Sequence, residues 1–348
     1  MQKIKIGDKI VGHSNPVYII AEAGVNHNGS IDLAKRLIDV AKKSNADAVK
    51  FQTFRTENMV LRKTEKATYQ KKVTSKGTQY DMLKKLELSS DDFRELNEYA
   101  MEVGITFLSS PFDRNSVDLL DEIGVPAFKI GSGELTNFPL LRHTARKSKP
   151  ILLSTGMGTI GEIDEALKVI QNEGLLEVIL LHCVTDYPAK IKDLNLHVIG
   201  TLKKSFQVPV GFSDHTEGTL VPSIAVALGA SVIEKHYTLD KNMPGPDHKA
   251  SLDPVQLREM VRSIRDVEKA LGSGLKRPSS EEEKMRKFVR KSIVAKVDIS
   301  KGSIIEEGML SYKRPGAGLS PKYYLEIVGK KARKDIMQDD FILWKDVE

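Results

Sequence analysis

A single cysteine in 348 residues, Cys183, leaves no partner for an internal disulfide, which fits a reducing compartment. No stretch approaches the roughly 20 apolar residues of a membrane-spanning helix. Met1 to Val11 alternates polar and apolar residues as a pair of short strands does, unlike a signal peptide, so the expected location is cytoplasmic, away from any membrane. Charge of one sign is also missing. The 53 Lys and Arg are interleaved with 47 Asp and Glu, and no basic block with aromatics stands out, so no nucleic-acid partner is expected despite a net charge of +6. An anionic small molecule suits that balance better.

What is present is a repeated pattern. Eight times between Val17 and Tyr237 a short β-branched apolar run ends abruptly in polar or ionisable residues. The endings are Ala21-Glu22-Ala23-Gly24, Lys50-Phe51-Gln52, Ser109-Ser110-Pro111-Phe112, Lys129-Ile130-Gly131-Ser132, Ser154-Thr155-Gly156, His182-Cys183, Ser213-Asp214-His215 and Glu234-Lys235-His236. Helical stretches separate them. Leu33, Leu37, Ile38 and Ala41 share one face of Ile31 to Ser44, and Ile163, Ala166, Leu167 and Ile170 share one face of Ile160 to Glu173. Ser89, Ser90 and Asp92 read as a helix start, and Gly104, Gly124 and Gly229 as stops. Strands alternating with helices call for a parallel sheet, and eight such units make an α/β fold of the (β/α)8 TIM-barrel type, whose chemistry sits at the C-terminal strand ends.

A barrel of about 250 residues is assigned to residues 1–274. Residues 275–284 are charged, contain Pro278, Ser279 and Ser280, lack apolar spacing and read as a linker. Residues 285–348 read as a small β-rich domain with strands at Ser292 to Val297, 302–305, Tyr312 to Gly318 and Phe341 to Trp344. So short a unit gains from docking on another surface. The long segment from Thr53 to Ile105, with Lys63, Lys66, Lys71 and Lys72, reads equally as a lid or as an extra solvated helix.

Three groups carry chemistry. His215 and His236 end adjacent barrel strands, where two imidazoles can share one divalent metal with Asp214 and Glu22 at hand. Lys50, Lys129, Ser110, Ser132, Ser154 and Ser213 bring ammonium groups and hydroxyls to the mouth, and Gly131, Gly133 and Gly156 allow close backbone approach, an arrangement suited to phosphate. An inward lysine also needs a counter-charge. Asp247, in the rigid loop Pro244 to His248, is placed to touch substrate.

These motifs resemble the sialic acid synthases. The resemblance runs through AEAGVNHNGS from Ala21, VKFQT from Val49, SSPFD from Ser109, FKIGSGELTN from Phe128, LSTGM from Leu153, LLHCVTDYP from Leu180, GFSDHT from Gly211, EKHYT from Glu234 and PGPDH from Pro244. KSIVAKVDISKGSII from Lys291 and KRPGAGLSP from Lys313 are similar to the family's antifreeze-like (SAF) domain. The resemblance implies condensation of phosphoenolpyruvate with an N-acylated mannosamine-type sugar, giving a nine-carbon 2-keto acid and phosphate by C–O cleavage.

It further implies Mn2+ or Mg2+ held by His215 and His236, with Glu22 as the acid/base. Lys50, Gln52, Ser110, Lys129, Ser132, Ser154 and Ser213 match the phosphoenolpyruvate pocket, with Ser110 standing where many members have threonine. Asn26, Glu134, Tyr187 and Asp247 match positions facing the sugar. Arg314 matches an arginine supplied to the neighbouring subunit, which implies a domain-swapped homodimer. Cys183 to Pro188, with acidic Asp186, looks closer to synthases that make legionaminate than to those that make neuraminate, and both sugars stay open. Two other readings also stay open: a Schiff-base aldolase using Lys129 or Lys50, and a non-enzymatic carbohydrate-binding or ice-binding protein. Cys183 itself reads as a buried strand thiol.

Overall fold

A hairpin of β1 (Ile4–Ile6) and β2 (Lys9–Val11) precedes eight parallel strands in the computed structural model, which describes residues 2–348 apart from 68, 69, 72, 73 and 75. The parallel strands are β3 (Tyr18–Gly24), β4 (Ala48–Thr53), β5 (Thr106–Pro111), β6 (Phe128–Ile130), β7 (Ile151–Ser154), β8 (Val178–Cys183), β9 (Val210–Asp214) and β10 (Val232–His236). Their hydrogen-bonded order is β5-β4-β3-β10-β9-β8-β7-β6, so first and last strands of the set are joined. With β5 beside β6 at the remaining seam, the eight form a nearly closed barrel. All eight runs read from the sequence are strands of this barrel.

The period of two decides what fills it. Ile20, Ala48, Leu108, Ala127, Leu152, Leu181 and Val232 point inward and form one apolar cluster, which Ile4, Ile6 and Val11 of the hairpin also enter. Two residues further along each strand the inward positions become Glu22, Lys50, Ser110, Lys129, Ser154, Cys183 and Glu234. One layer therefore builds a dry floor and the next builds the site. Alternate residues such as Ile19, Val49, Phe51 and Phe107 face outward into the core shared with the helices.

The helices form as local chemistry dictates. Ser30 caps Ile31–Lys43, which buries Ala34, Leu37, Ile38 and Ala41, while Leu33 is half-buried. Ser89 and Asp92 make a capping box for Ser90–Val103, and Gly104 ends it in the left-handed region at φ 78°. Ile160–Gln171 buries Ile163, Ala166, Leu167 and Ile170. Between β4 and β5, the helices Thr56–Met59 and Gln79–Lys84 share a small cluster of Val25, Phe54, Met82, Leu83 and Leu86. Glu87 ties that segment down, accepting from Arg55 Nη1 at 2.9 Å and Thr56 Oγ1 at 2.8 Å. Of its lysines, Lys63 and Lys71 are exposed, Lys66 is buried, and Lys72 lies outside the described residues.

The chain divides into two units, Met1–Gly272 and Ser273–Glu348. In the second, the stretch read as linker is irregular only to Ser279. There a capping box with Glu282 starts the helix Ser280–Val289, which buries no side chain, so the missing apolar spacing reflects exposure rather than disorder. Antiparallel β11 (Ser292–Ala295) and β12 (Leu310–Lys313) follow. The strands expected at 302–305 and Phe341 to Trp344 reduce to single bridges, Ile304 to Lys331 and Phe341 to Val294. The strand expected from Tyr312 to Gly318 instead begins at Leu310 and stops at Lys313. Ile293, Ile299, Ile305, Leu310, Ile327, Ile336 and Ile342 fill this unit's core.

Candidate active site

Lys50 and Lys129, on β4 and β6, are buried together with two carboxylates. Lys50 Nζ lies 2.8 Å from Glu22 Oε2 and 3.7 Å from Glu234 Oε2, and Lys129 Nζ lies 3.5 Å from Glu234 Oε1. Lys50 also donates to Ser110 Oγ at 2.9 Å, and Ser213 Oγ donates to Glu234 Oε1 at 2.8 Å. Burial alone pushes both carboxylates up, but the neighbours split them. Lys129 and Lys50 overcome burial at Glu234 and hold it at about 2. At Glu22 burial wins over Lys50, helped by repulsion from Glu234, and the pKa is raised to about 7. One carboxylate therefore stays charged while its neighbour sits poised to exchange a proton near neutral pH.

Glu234 is the counter-charge that the sequence demanded without naming. It shares a parity with His236, two residues on, whereas Lys235 between them faces outward. Parity was the signal that could have found it.

His215 directly follows β9 and His236 ends the adjacent β10, with ring centroids 5.6 Å apart. His215 Nδ1 is hydrogen-bonded to the carbonyl of Val184 at 2.8 Å, which leaves Nε2 for a ligand. His236 Nδ1 is buried with no hydrogen-bond partner. Desolvation lowers both imidazole pKa values, which favours the neutral ring, the form that binds metal. Among the described residues no three His, Cys, Asp or Glu side chains enclose an ion. The donor set fits a divalent cation held by two imidazoles, with other positions open to substrate and water.

Backbone shape brings the pieces this close. The β3 to β4 register shifts between Glu22 and Gly24, and Gly24 has φ 54°. A Cβ there would lie 3.2 Å from His236 Cε1 and 3.3 Å from Glu22 Oε1, so glycine is what lets carboxylate and imidazole share the corner. Gly156 plays the same part opposite: a Cβ would come 2.8 Å from Ser132 Oγ and 2.9 Å from Cys183 Sγ. Its N–H donates to Ser132 Oγ at 3.0 Å, and that hydroxyl lies 3.0 Å from buried Cys183. Ser154 Oγ is buried without a hydrogen-bond partner.

The remaining expected residues divide. Tyr187 packs against the His215 ring with centroids 4.2 Å apart and planes tilted by 42°, and Gln52 Nε2 donates to Glu22 Oε1 at 3.4 Å. Glu134 accepts from Asn137 Nδ2 at 2.5 Å. Asn26 spends its amide N–H groups on the Tyr237 carbonyl at 2.8 Å and Ser251 Oγ at 3.0 Å, leaving only buried Oδ1 unpartnered. Asp247 is buried, and desolvation raises its pKa to about 6. Arg314 belongs to the second unit, where it is exposed at the end of β12.

Known proteins share this framework. Residues 37–276 match the model of the NeuB family, and residues 290–348 match the SAF domain. An N,N'-diacetyllegionaminic acid synthase of Campylobacter jejuni is 51% identical over 93% of this chain and 98% of its own length. One of the same name from Legionella pneumophila is 47% identical over 98% of each. The crystal structure of an N-acetylneuraminic acid (sialic acid) synthetase from Leptospira borgpetersenii superposes with a TM-score of 0.73 at 36% identity, covering 81% of this chain and 94% of that one. With the family model covering most of the barrel and such relatives spanning nearly the whole length, the chain belongs to the NeuB family and carries a SAF domain at its C-terminal end.

Proposed function

We propose that this enzyme condenses phosphoenolpyruvate with an N-acylated mannosamine-type sugar, forming a nonulosonic acid and releasing phosphate by C–O cleavage. The observation that carries the proposal is the buried ring of Lys50, Lys129, Glu22 and Glu234 beside the paired imidazoles. The two ammonium groups bind the phosphate and carboxylate of phosphoenolpyruvate as point charges. Ser110, Ser132, Ser154, Ser213 and Gln52 complete that cradle, and Asn26, Glu134, Tyr187 and Asp247 face the sugar.

His215 and His236 would hold Mn2+ or Mg2+, which when bound would supply Lewis-acid polarisation of a carbonyl and of water. C3 of phosphoenolpyruvate bonds to the aldehyde carbon, and the water oxygen adds to C2. Glu22, poised near neutral pH, takes a proton from that water and returns one to the alkoxide left by the aldehyde. Collapse at C2 then forms the C2=O double bond as the C2–O bond to the phosphorus-bearing oxygen breaks, and the C2 hydroxyl proton leaves with the phosphate as hydrogen phosphate.

The acceptor we infer is a 2,4-diacetamido-2,4,6-trideoxymannose, giving the legionaminate-type product. Relatives 51% and 47% identical are named for that product, and exposed Asp186 beside Tyr187 offers a carboxylate to an extra N-acyl group. Arg314 completes the neighbouring copy's site in a domain-swapped homodimer.

Phosphate release from phosphoenolpyruvate with Mn2+, comparing this sugar with N-acetylmannosamine and identifying products by mass, tests both levels. Release with either sugar supports the synthase, and the ratio of kcat/KM values chooses the acceptor. Release with neither overturns the reaction. Lys129, whose pKa burial lowers, favours one second reading, a Schiff-base aldolase. Borohydride trapping of a covalent adduct with a keto substrate would then replace sensitivity to EDTA.

A further inference from the structure

On the outer side of the barrel, away from the lysines and hydroxyls that would hold substrate, a second buried ion pair flanks the imidazoles. Asp214 and Lys235 are register partners at the last rung between β9 and β10, and each is followed directly in sequence by one of the two histidines. Lys235 Nζ lies 2.6 Å from Asp214 Oδ2, with the two side chains 1% and 0% exposed. Both groups also grip the residue beyond His215. Thr216 N donates to Asp214 Oδ1 at 2.9 Å and Thr216 Oγ1 to Asp214 Oδ2 at 3.1 Å, while Lys235 donates to the Thr216 carbonyl. The His215 carbonyl is held as well, accepting from Ala189 N at 2.9 Å.

Stability is a poor reason for such a pair. Desolvating two charges cancels most of their attraction, and well-packed apolar residues often do as well. What this arrangement supplies is geometry. It bolts residues 214–216 to β10 while His236 Nδ1 has no hydrogen bond of its own to set its ring. We propose that Asp214, Lys235 and Thr216 form a positioning clasp that fixes the spacing of His215 and His236 for a divalent cation, a role that rests on the metal reading given above.

The test is Mn2+ affinity, followed by the electron paramagnetic resonance signal of free Mn2+, in the full-length protein. Lys235→Met and the apolar double variant Asp214→Leu/Lys235→Met should weaken binding about 10–100-fold, the range for groups that orient metal ligands. Lys235→Arg should recover most of it. Thr216→Val removes one hydroxyl and serves where the charge variants do not fold, with a smaller loss expected. Melting temperature without metal, measured alongside, separates geometry from stability.

A folded double variant that binds Mn2+ as tightly as wild type, while His215→Ala binds none, overturns the clasp alone. Wild-type protein that binds no Mn2+, or His215→Ala that binds it undiminished, overturns the metal reading and the clasp with it.

Discussion

Lys50 and Glu22 face each other across 2.8 Å on neighbouring strands, both almost wholly buried, at register positions paired directly in the β3 to β4 ladder. Burial leaves the carboxylate near neutrality in spite of the ammonium beside it, because Glu234 already answers the two lysines. The division of labour is testable. Glu22→Gln keeps the shape and leaves Lys50 with Glu234. We expect kcat to fall about 10²–10⁴-fold, the usual worth of a proton-transferring group, with KM for phosphoenolpyruvate within a few-fold. A kcat within tenfold of wild type would remove Glu22 from the acid/base role.

Glu234→Gln should act differently. Without that carboxylate the paired lysines lose a shared counter-charge in a dry site, and Ser213 loses its acceptor. KM for phosphoenolpyruvate should change more than kcat, since the groups affected are those proposed to bind the anion. Glu234→Asp should restore part of the loss. Equal effects of the two substitutions in steady-state kinetics would assign Glu234 to packing.

Much of this site was legible as strand endings, because the period of two and the position of the polar switch mark the C-terminal rim of a barrel. What escaped was pairing across distance. Glu234 was visible in its run, but choosing it as the partner of Lys50 and Lys129 needs the strand order that brings β10 to β3 and β4. The Asp214 to Lys235 pair was hidden for the same reason. The helix Ser280–Val289 had its start signal in Ser279 and Glu282, yet with no buried stripe it left no periodicity to find. In the small unit, bridges such as Ile299 to Ile336 and Ala332 to Val347 join single residues far apart in the chain, which local patterning does not reveal.

His27 makes stability depend on pH. Its ring is buried, burial lowers its pKa to about 4, and Nδ1 accepts from Gly29 N at 3.1 Å, so the neutral ring is the folded form. An unfolded histidine titrates near 6.5. Between those values only the unfolded chain binds the proton, so the stabilisation is fully present above about pH 6.5 and is lost as pH falls toward 4. The gap corresponds to about 3 kcal/mol. His27→Asn keeps an acceptor for Gly29 and cannot titrate. Urea midpoints measured from pH 7 to pH 4 should fall less steeply in the variant, and parallel curves would show that His27 does not carry the dependence.

Both imidazoles should be indispensable and individually non-structural. His215→Ala or His236→Ala removes one of two donors from a site with no third cluster residue among those described. On the proposed metal reading, wild-type activity should respond to Mn2+ and be abolished by EDTA, and it should vanish in either variant with circular dichroism unchanged. Full activity in either variant would remove the metal assignment.

Arg314 is exposed at the end of β12 and takes no part in the core of its unit, which is built of Ile, Leu, Val and Ala side chains. If it serves a neighbouring copy's sugar site, Arg314→Ala should raise KM for the sugar more than KM for phosphoenolpyruvate, because the proposed cradle for the latter is the pair of lysines inside the barrel. The opposite pattern would put it at the wrong end of the reaction. Complementation is the sharper measurement. An Arg314→Ala subunit retains an intact barrel, and a Glu22→Gln subunit retains an intact arginine. A mixed dimer therefore rebuilds one complete site when the arginine crosses between copies, and none when it stays at home. Mixing the two impaired variants under conditions of demonstrated subunit exchange, at a sugar concentration where neither alone turns over appreciably, should recover part of the wild-type rate, up to about a quarter for random pairing with one working site in each mixed dimer. Exchange without recovery would mean that Arg314 acts on its own chain or not at all.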